Sequence, residues 1–162
     1  MKDSKYSPLD EIDWRISQEL RNDARMPASE IARKLDLNPR TVRNRIDRIV
    51  ELGAARAHWV FEPKVFGYVI SVDIFLKIET ESAADVICHD LINDPQVNYL
   101  AFGNGKETMS IEGLFKNLEE MDEFIYQKLP AYEGVRVESV ALVPKVLRSQ
   151  YEWHPDKSDF GN

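Results

Sequence analysis

The sequence predicts an α+β chain: an N-terminal three-helix, winged helix-turn-helix unit followed by a ferredoxin-like βαββαβ unit. Three observations carry this expectation. Two helix-period segments flank a turn of only three residues, Asp36, Leu37 and Asn38. A long alternation of apolar and polar residues opens at Tyr68. From there, strand and helix signals follow one another in the order β-α-β-β-α-β as far as Val143.

The first helix is expected from Leu9, Ile12, Ile16 and Leu20, which recur on one side of a helical pattern. Pro27 to Leu35 repeats the pattern in a shorter form, with Ala28, Ile31, Ala32 and Leu35 facing inward. Asn38 is a good N-cap, and Pro39 suits the first helical position, where its missing N–H costs nothing. Val42, Ile46 and Ile49 then form the apolar stripe of a third helix. Gly53 closes this unit as a C′ glycine. Three helices of this size share one small core, and two of them across so short a turn make a helix-turn-helix.

The third helix carries the chemistry. Residues 38–48 hold four arginines against one aspartate. At about 100° per residue, Arg40, Arg43, Asn44 and Arg48 point away from the apolar stripe, and Arg45 lies at its edge. Guanidinium forks suit guanine edges and phosphates, and an amide suits adenine. The expected reading is a helix that enters the DNA major groove. Arg40, Arg43 and Asn44 would face bases, Thr41 and Arg48 would meet phosphates, and Arg45 would brace the helix. An arginine-rich helix face is more often plain solvated surface, so the short turn before it is what favours DNA.

In the second unit, Tyr68, Ile70, Val72, Ile74, Leu76 and Ile78 predict the first strand. Ala83 to Asn93 reads as a helix ended by Pro95, and Val97 to Phe102 and Thr108 to Leu114 read as strands around Gly103-Asn104-Gly105. Asn117 and Glu120 make a capping box, with Leu118, Met121, Phe124, Ile125 and Leu129 as the buried side of its helix. Val135 to Val143 completes the sheet. Neither side of the second and fourth strands is cleanly polar. One side offers Leu100, Phe102, Val140 and Leu142, the other Val97, Tyr99, Val135 and Val137, so the open sheet face is expected to pack on a second copy.

The domain boundaries follow: a loose N-terminus over 1–8, the helical unit over 9–53, a connector strand over 54–67, the plait over 68–145 and a tail over 146–162. Alternation of Ala57, Trp59 and Phe61 predicts the connector strand, which could be the wing. Tyr151 and Trp153 suggest a docking tail, on a neighbouring subunit as one option, with 158–162 disordered.

Bulk composition narrows the function. The 162 residues are 43% hydrophobic and 30% charged, with a net charge of −7. Residues 1–60 carry +2 and residues 61–162 carry −9. An acidic half repels phosphates and turns the basic half toward them, and modest charge per copy implies that several copies act together. No apolar run suits a bilayer or a leader, and Cys88 has no cysteine partner, so a cytoplasmic location is expected, without membrane contact. His58, His89 and His154 fit no metal spacing, and Gly103-Asn104-Gly105 is too short for a dinucleotide loop. No metal, no cofactor and no enzymatic role are therefore expected.

The ordered set Leu9-Asp10, Asp13, Ile16, Leu20, Asp23-Ala24-Arg25, Ile31-Ala32, Leu35, Leu37, Thr41-Val42, Arg45, Ile49 and Gly53 resembles the Lrp/AsnC family of leucine-responsive and asparagine-linked regulators. Pro95, Val97, Gly103, the run 117–124 and Leu129-Pro130 through Gly134-Val135 are similar to that family's amino-acid-sensing domain. The resemblance covers roughly residues 9–145 and implies a transcription regulator that binds double-stranded DNA. It also implies a homodimer assembling further, to a tetramer or octamer. By the same resemblance, a small-molecule effector such as an amino acid would sit beside the turn formed by Gly103, Asn104, Gly105, Lys106 and Glu107. Lys106 stands where the family usually has an aspartate. An aspartate holds an effector's ammonium group and a lysine cannot, so either Glu107 substitutes or Lys106 takes a carboxylate. Glycines 103 and 105 equally suit a plain tight hairpin. Sirohaem decarboxylases resemble the same family and give the alternative, in which His58 and an arginine serve tetrapyrrole chemistry. The segment after Val97 lacks the aromatic and asparagine run expected of those enzymes.

Overall fold

The computed structural model describes residues 8–161. The expectation of a loose N-terminus falls on 1–7, outside the described residues. The chain divides into two compact units: residues 8–60 with 149–161, and residues 61–148.

In the first unit, α1 (Glu11–Asn22), α2 (Ala28–Leu35) and α3 (Pro39–Glu51) surround a core of Ile16, Ile31, Ala32 and Val42. Ile12, Leu20, Met26, Leu35 and Ile46 pack around it. Each start has a local cause. Asp10 caps α1 through the Ile12 and Asp13 N–H groups, and Pro27, fixed in an extended conformation, opens α2. Asn38 caps α3 through the Arg40 N–H at 2.8 Å. Between α2 and α3, Asp36 adopts a left-handed conformation (φ 56°) and the Leu37 N–H returns to the Ala32 carbonyl at 2.9 Å. That pairing closes the helix end and sets the sharp turn.

The second unit is a four-stranded antiparallel sheet in the order β2-β3-β1-β4, with β1 at Ile70–Ile78, β2 at Val97–Gly103, β3 at Thr108–Phe115 and β4 at Val135–Leu142. Helix α4 (Glu81–Leu91) starts at Thr80, whose hydroxyl accepts the Ala83 N–H. Helix α5 (Leu118–Glu123) starts at Asn117, and the Glu120 carboxylate accepts the Lys116 N–H at 3.1 Å. The core gathers Val72, Ile74, Leu76 and Ile78 from β1, Met109, Ile111 and Phe115 from β3, Ala84, Ile87 and Leu91 from α4, and Phe124, Ile125 and Leu129 after α5. The βαββαβ expectation is met.

Four expectations need correction. The connector strand and the wing are not formed: no strand occurs at 54–67, and Pro63–Phe66 is one 3₁₀ turn. A strand needs a hydrogen-bonded neighbour, and alternation alone supplies none. Trp59 and Phe61 are left 74% and 70% exposed. The assignment of residues to the two sheet faces also needs correction. Register shifts between Val97 and Tyr99 and between Phe75 and Leu76 place Val97, Val135 and Val137 on the core side with Leu100. Phe102, Val140 and Leu142 pair with core positions of β3 and β1 and share that side. A bulge flips later side chains relative to a strict two-residue period. The open face therefore mixes Phe75, Tyr99, Ala101 and Leu114 with Asp73, Lys77, Ser110, Glu112 and Arg136. Third, Leu118 is exposed rather than buried. After Glu123 the helix widens to a π turn over Phe124–Lys128, so a 3.6-residue extrapolation from Ile125 back to Leu118 loses register.

Last, the tail is ordered and returns to its own first unit. Residues Lys157–Asp159 form a 3₁₀ turn behind an Asp156 cap. The Gly161 N–H donates to the Leu9 carbonyl at 2.7 Å, and Gly161 bridges Asp10 in a parallel sense. Of the segment expected to be disordered, 158–161 is thus described and held, while Asn162 lies outside the described residues. Pro8 is held too, its carbonyl accepting from Arg48.

Candidate nucleic-acid interface

The inner face of α3 is sealed by Val42 and Ile49, at 0% and 5% exposure. Arg40, Thr41, Arg43 and Asn44 on the other side are exposed. None of their side chains makes a hydrogen bond or ion pair among the described residues. Two free guanidinium groups, a hydroxyl and an amide thus lie within five residues at the amino end of the helix.

Arg45 and Arg48 are held differently. Arg45 Nη1 donates to Asp10 Oδ1 at 2.7 Å and to Asp13 Oδ1 at 2.8 Å. Arg48 Nη2 donates to the Pro8 carbonyl, and its Nη1 stands 3.8 Å from Asp13 Oδ2. The Asp13 side chain is fully buried. Its Oδ2 also accepts the Asp10 N–H at 3.0 Å, which closes the capping box of α1. Burial pushes the Asp10 carboxyl up, but the Arg45 guanidinium and the Asp13 and Ile12 N–H groups outweigh it and hold it below its usual range. The Asp10 hydrogen bond raises Arg45 in turn, despite desolvation. The brace expected of Arg45 is therefore present as an ion pair to α1. Arg48, expected at phosphates, is 45% exposed in its side chain and partly committed to protein.

Asp10 and Asp13 join the site without being among the residues the sequence reading assigns to it, yet the sequence carries a signal for them. Asp13 falls within the Leu9, Ile16 and Leu20 stripe, and Arg45 falls beside Val42 and Ile49. Two opposite charges placed inside two facing apolar stripes point to each other.

The second candidate, the turn after β2, is tight. Asn104 and Gly105 take positive φ, 45° and 68°, and the Thr108 hydroxyl donates to the Gly103 carbonyl at 2.7 Å. A Cβ on Gly103 would come 2.9 Å from that hydroxyl oxygen. Lys106 is not free: its Nζ meets Asp85 at 2.6 Å and Glu81 at 3.1 Å on α4. Asp85 first, then Glu81, raises the Lys106 ammonium above its usual value. Glu107 pairs with Lys77 at 3.4 Å. His58, named in the tetrapyrrole alternative, packs its ring on Tyr151 at 5.4 Å. No group of histidine, cysteine and acidic residues suited to a metal occurs among the described residues.

A three-helix platform whose third helix exposes Arg40 and Arg43 without partners among the described residues, joined to a plait, defines a helix-turn-helix DNA-binding protein. The AsnC-type helix-turn-helix domain model matches residues 9–49. An uncharacterised HTH-type transcriptional regulator of Pyrococcus horikoshii is 30% identical over 149 residues, 91% of this chain and 94% of that one. The regulator AldR of Mycolicibacterium smegmatis is 26% identical, covering 91% of this chain and 88% of its own. Among solved structures, a Neisseria meningitidis transcriptional regulator in complex with L-Met superposes with a TM-score of 0.81 at 18% identity, covering 90% of this chain and 96% of that chain. AsnC of E. coli gives 0.72 at 18% identity, with 89% and 95% covered. At such identity these two show the shared fold alone. The chain belongs to the Lrp/AsnC family of helix-turn-helix proteins and is a DNA-binding transcription regulator.

Proposed function

We propose that the amino half of α3 reads operator DNA in the major groove, with Arg40, Arg43 and Asn44 at base edges and Thr41 at a phosphate. Arg48 reaches a neighbouring phosphate with the N–H groups not given to Pro8. The carrying observation is that Arg40, Arg43 and Asn44 are exposed and have no side-chain partner among the described residues, while the other face of the same helix is sealed. The test is Arg43→Ala in a mobility-shift titration. A base contact predicts a loss of about 1–3 kcal/mol on the preferred sequence. Equal binding to all sequences, unchanged by the substitution, would remove Arg43 from the site.

The working form is a homodimer or a higher assembly such as a tetramer or octamer. The exposed Trp59, Val60, Phe61, Val65 and Phe66, and the mixed open sheet face, support it. The protein acts on DNA in the cytoplasm, as a regulator rather than an enzyme. No helix among the described residues is long and apolar enough to cross a membrane.

The turn at Gly103, Asn104, Gly105, Lys106 and Glu107 is the effector region in this reading. The Neisseria regulator's L-Met complex supports an amino acid as the ligand class. The local charge favours a ligand ammonium over a carboxylate: Asp85 and Glu81 are there to receive it once Lys106 moves, whereas a carboxylate would have to compete with both. Calorimetric titration with single amino acids checks this. Lys106→Ala should tighten binding severalfold on this model. A complete absence of heat with every amino acid, in both proteins, would end it.

A further inference from the structure

We propose that Asp13 is a positioning residue that sets DNA specificity: its buried carboxylate withholds Arg45 from solvent and tethers Arg48, leaving Arg40 and Arg43 as the free charge of α3. The proposal rests on the reading of α3 as the DNA-facing helix and concerns a residue that does not touch DNA.

The argument begins with where Asp13 lies. It occupies the apolar stripe of α1, where a leucine or isoleucine would pack against α3. A buried ion pair adds little stability over an apolar pair of similar volume, so packing alone does not explain it. What the carboxylate supplies is direction. Oδ1 takes Arg45 at 2.8 Å, and Oδ2 takes the Asp10 N–H at 3.0 Å and faces Arg48 at 3.8 Å. Both oxygens are thus committed between the first turn of α1 and the second half of α3. The position of α3 relative to α1 is pinned by bonds with defined angles, which apolar contact does not provide.

The second consequence is electrostatic. Non-specific affinity grows with the number of phosphates a protein neutralises and carries no sequence information. Four free arginines on one short helix would raise affinity for any duplex. Arg45, at 21% side-chain exposure with two carboxylates on it, adds almost nothing to that pull. The discrimination between an operator and random DNA is then left to the amino half of α3.

The test compares the parental protein with Asp13→Asn on two duplexes of equal length. One is selected from a random pool by the parental protein and the other is of random sequence. Both are titrated across a range of salt. The expected result is tighter binding of the random duplex, by about tenfold, and a log–log salt slope steeper by about 0.9, one more phosphate neutralised. The preference for the selected duplex should fall by a similar factor. A parallel loss of affinity for both duplexes at an unchanged slope would mean a structural role alone and overturn the proposal. If Asp13→Asn melts below the assay temperature, Asp10→Asn decides in its place. It keeps an N-cap but removes one of the two charges on Arg45. It should tighten random-duplex binding and lower the preference by about threefold each, with a slope steeper by about 0.5, and parental values for slope and preference would overturn the assignment. A parental protein that prefers no sequence would sink the DNA reading of α3 and this proposal with it. A parental protein that discriminates, beside variants that discriminate equally well, would sink the role of Asp13 alone.

Discussion

At the scale of single residues, Asp10 does two jobs. It caps α1 with bonds of 2.9 and 3.1 Å to the Ile12 and Asp13 N–H groups, and it holds Arg45 at 2.7 Å. Asp10→Ala should lower stability by about 1–2 kcal/mol in a denaturant melt, and Asp10→Asn should keep most of the capping part. The pH dependence has a definite sign. A carboxyl held below its ordinary value stabilises the fold fully above that value and loses the contribution as pH falls through the lower native one. Stability of the parental protein and of Asp10→Asn should therefore converge in acid and separate toward neutrality. Curves that stay parallel down to the acid limit would count against the Asp10–Arg45 pairing. The side chain is 37% exposed, so screening keeps the difference small.

At the scale of elements, local signals served the helices better than the sheet. Asn38 and Pro39 marked the start of α3, and the box at 117–120 marked α5, because capping depends on residues next to each other in the chain. The faces of β2 and β4 depart from strict alternation because each pairing contains a bulge, and a bulge depends on the partner strand. The connector reads as a strand but lacks a partner. The tail is the converse case: it has little periodicity, yet it is seated on α1. Lys157 pairs with Glu11 at 2.6 Å and stands 5.3 Å from the Trp14 ring, and Gln18 reaches His154 at 3.3 Å. Ending the chain after Arg148 should cost the first unit about 1–2 kcal/mol, since these contacts are mostly exposed. Hydrogen exchange should show faster exchange at the start of α1 and unchanged protection in β1 and β3. Unaltered protection in α1 would contradict the docking.

At the scale of the whole molecule, the distribution of charge and apolar surface matters more than any one contact. A chain of net charge −7 that binds a polyanion must concentrate its basic groups, and α3 presents Arg40 and Arg43 without partners among the described residues. Affinity should therefore fall steeply with salt, and sharing the load among copies is the natural compensation. Sedimentation at micromolar concentration should give at least twice the monomer mass. A single monomeric species there would remove the oligomer from the proposed function and leave the α3 assignment intact.

The order of elements, the helix-turn-helix and the outward arginines could be read from residues close together in the chain, since amphipathic period and capping are local properties. Only folding in three dimensions decided which arginines remain free. Arg45 stands out from Arg43 by its place at the edge of the apolar stripe, but its partners Asp10 and Asp13 come from an element some thirty residues earlier. That pairing depends on how α1 crosses α3, which no window along the chain contains. The same holds for Lys106, taken up by α4, and for a tail whose last described residue closes on Leu9.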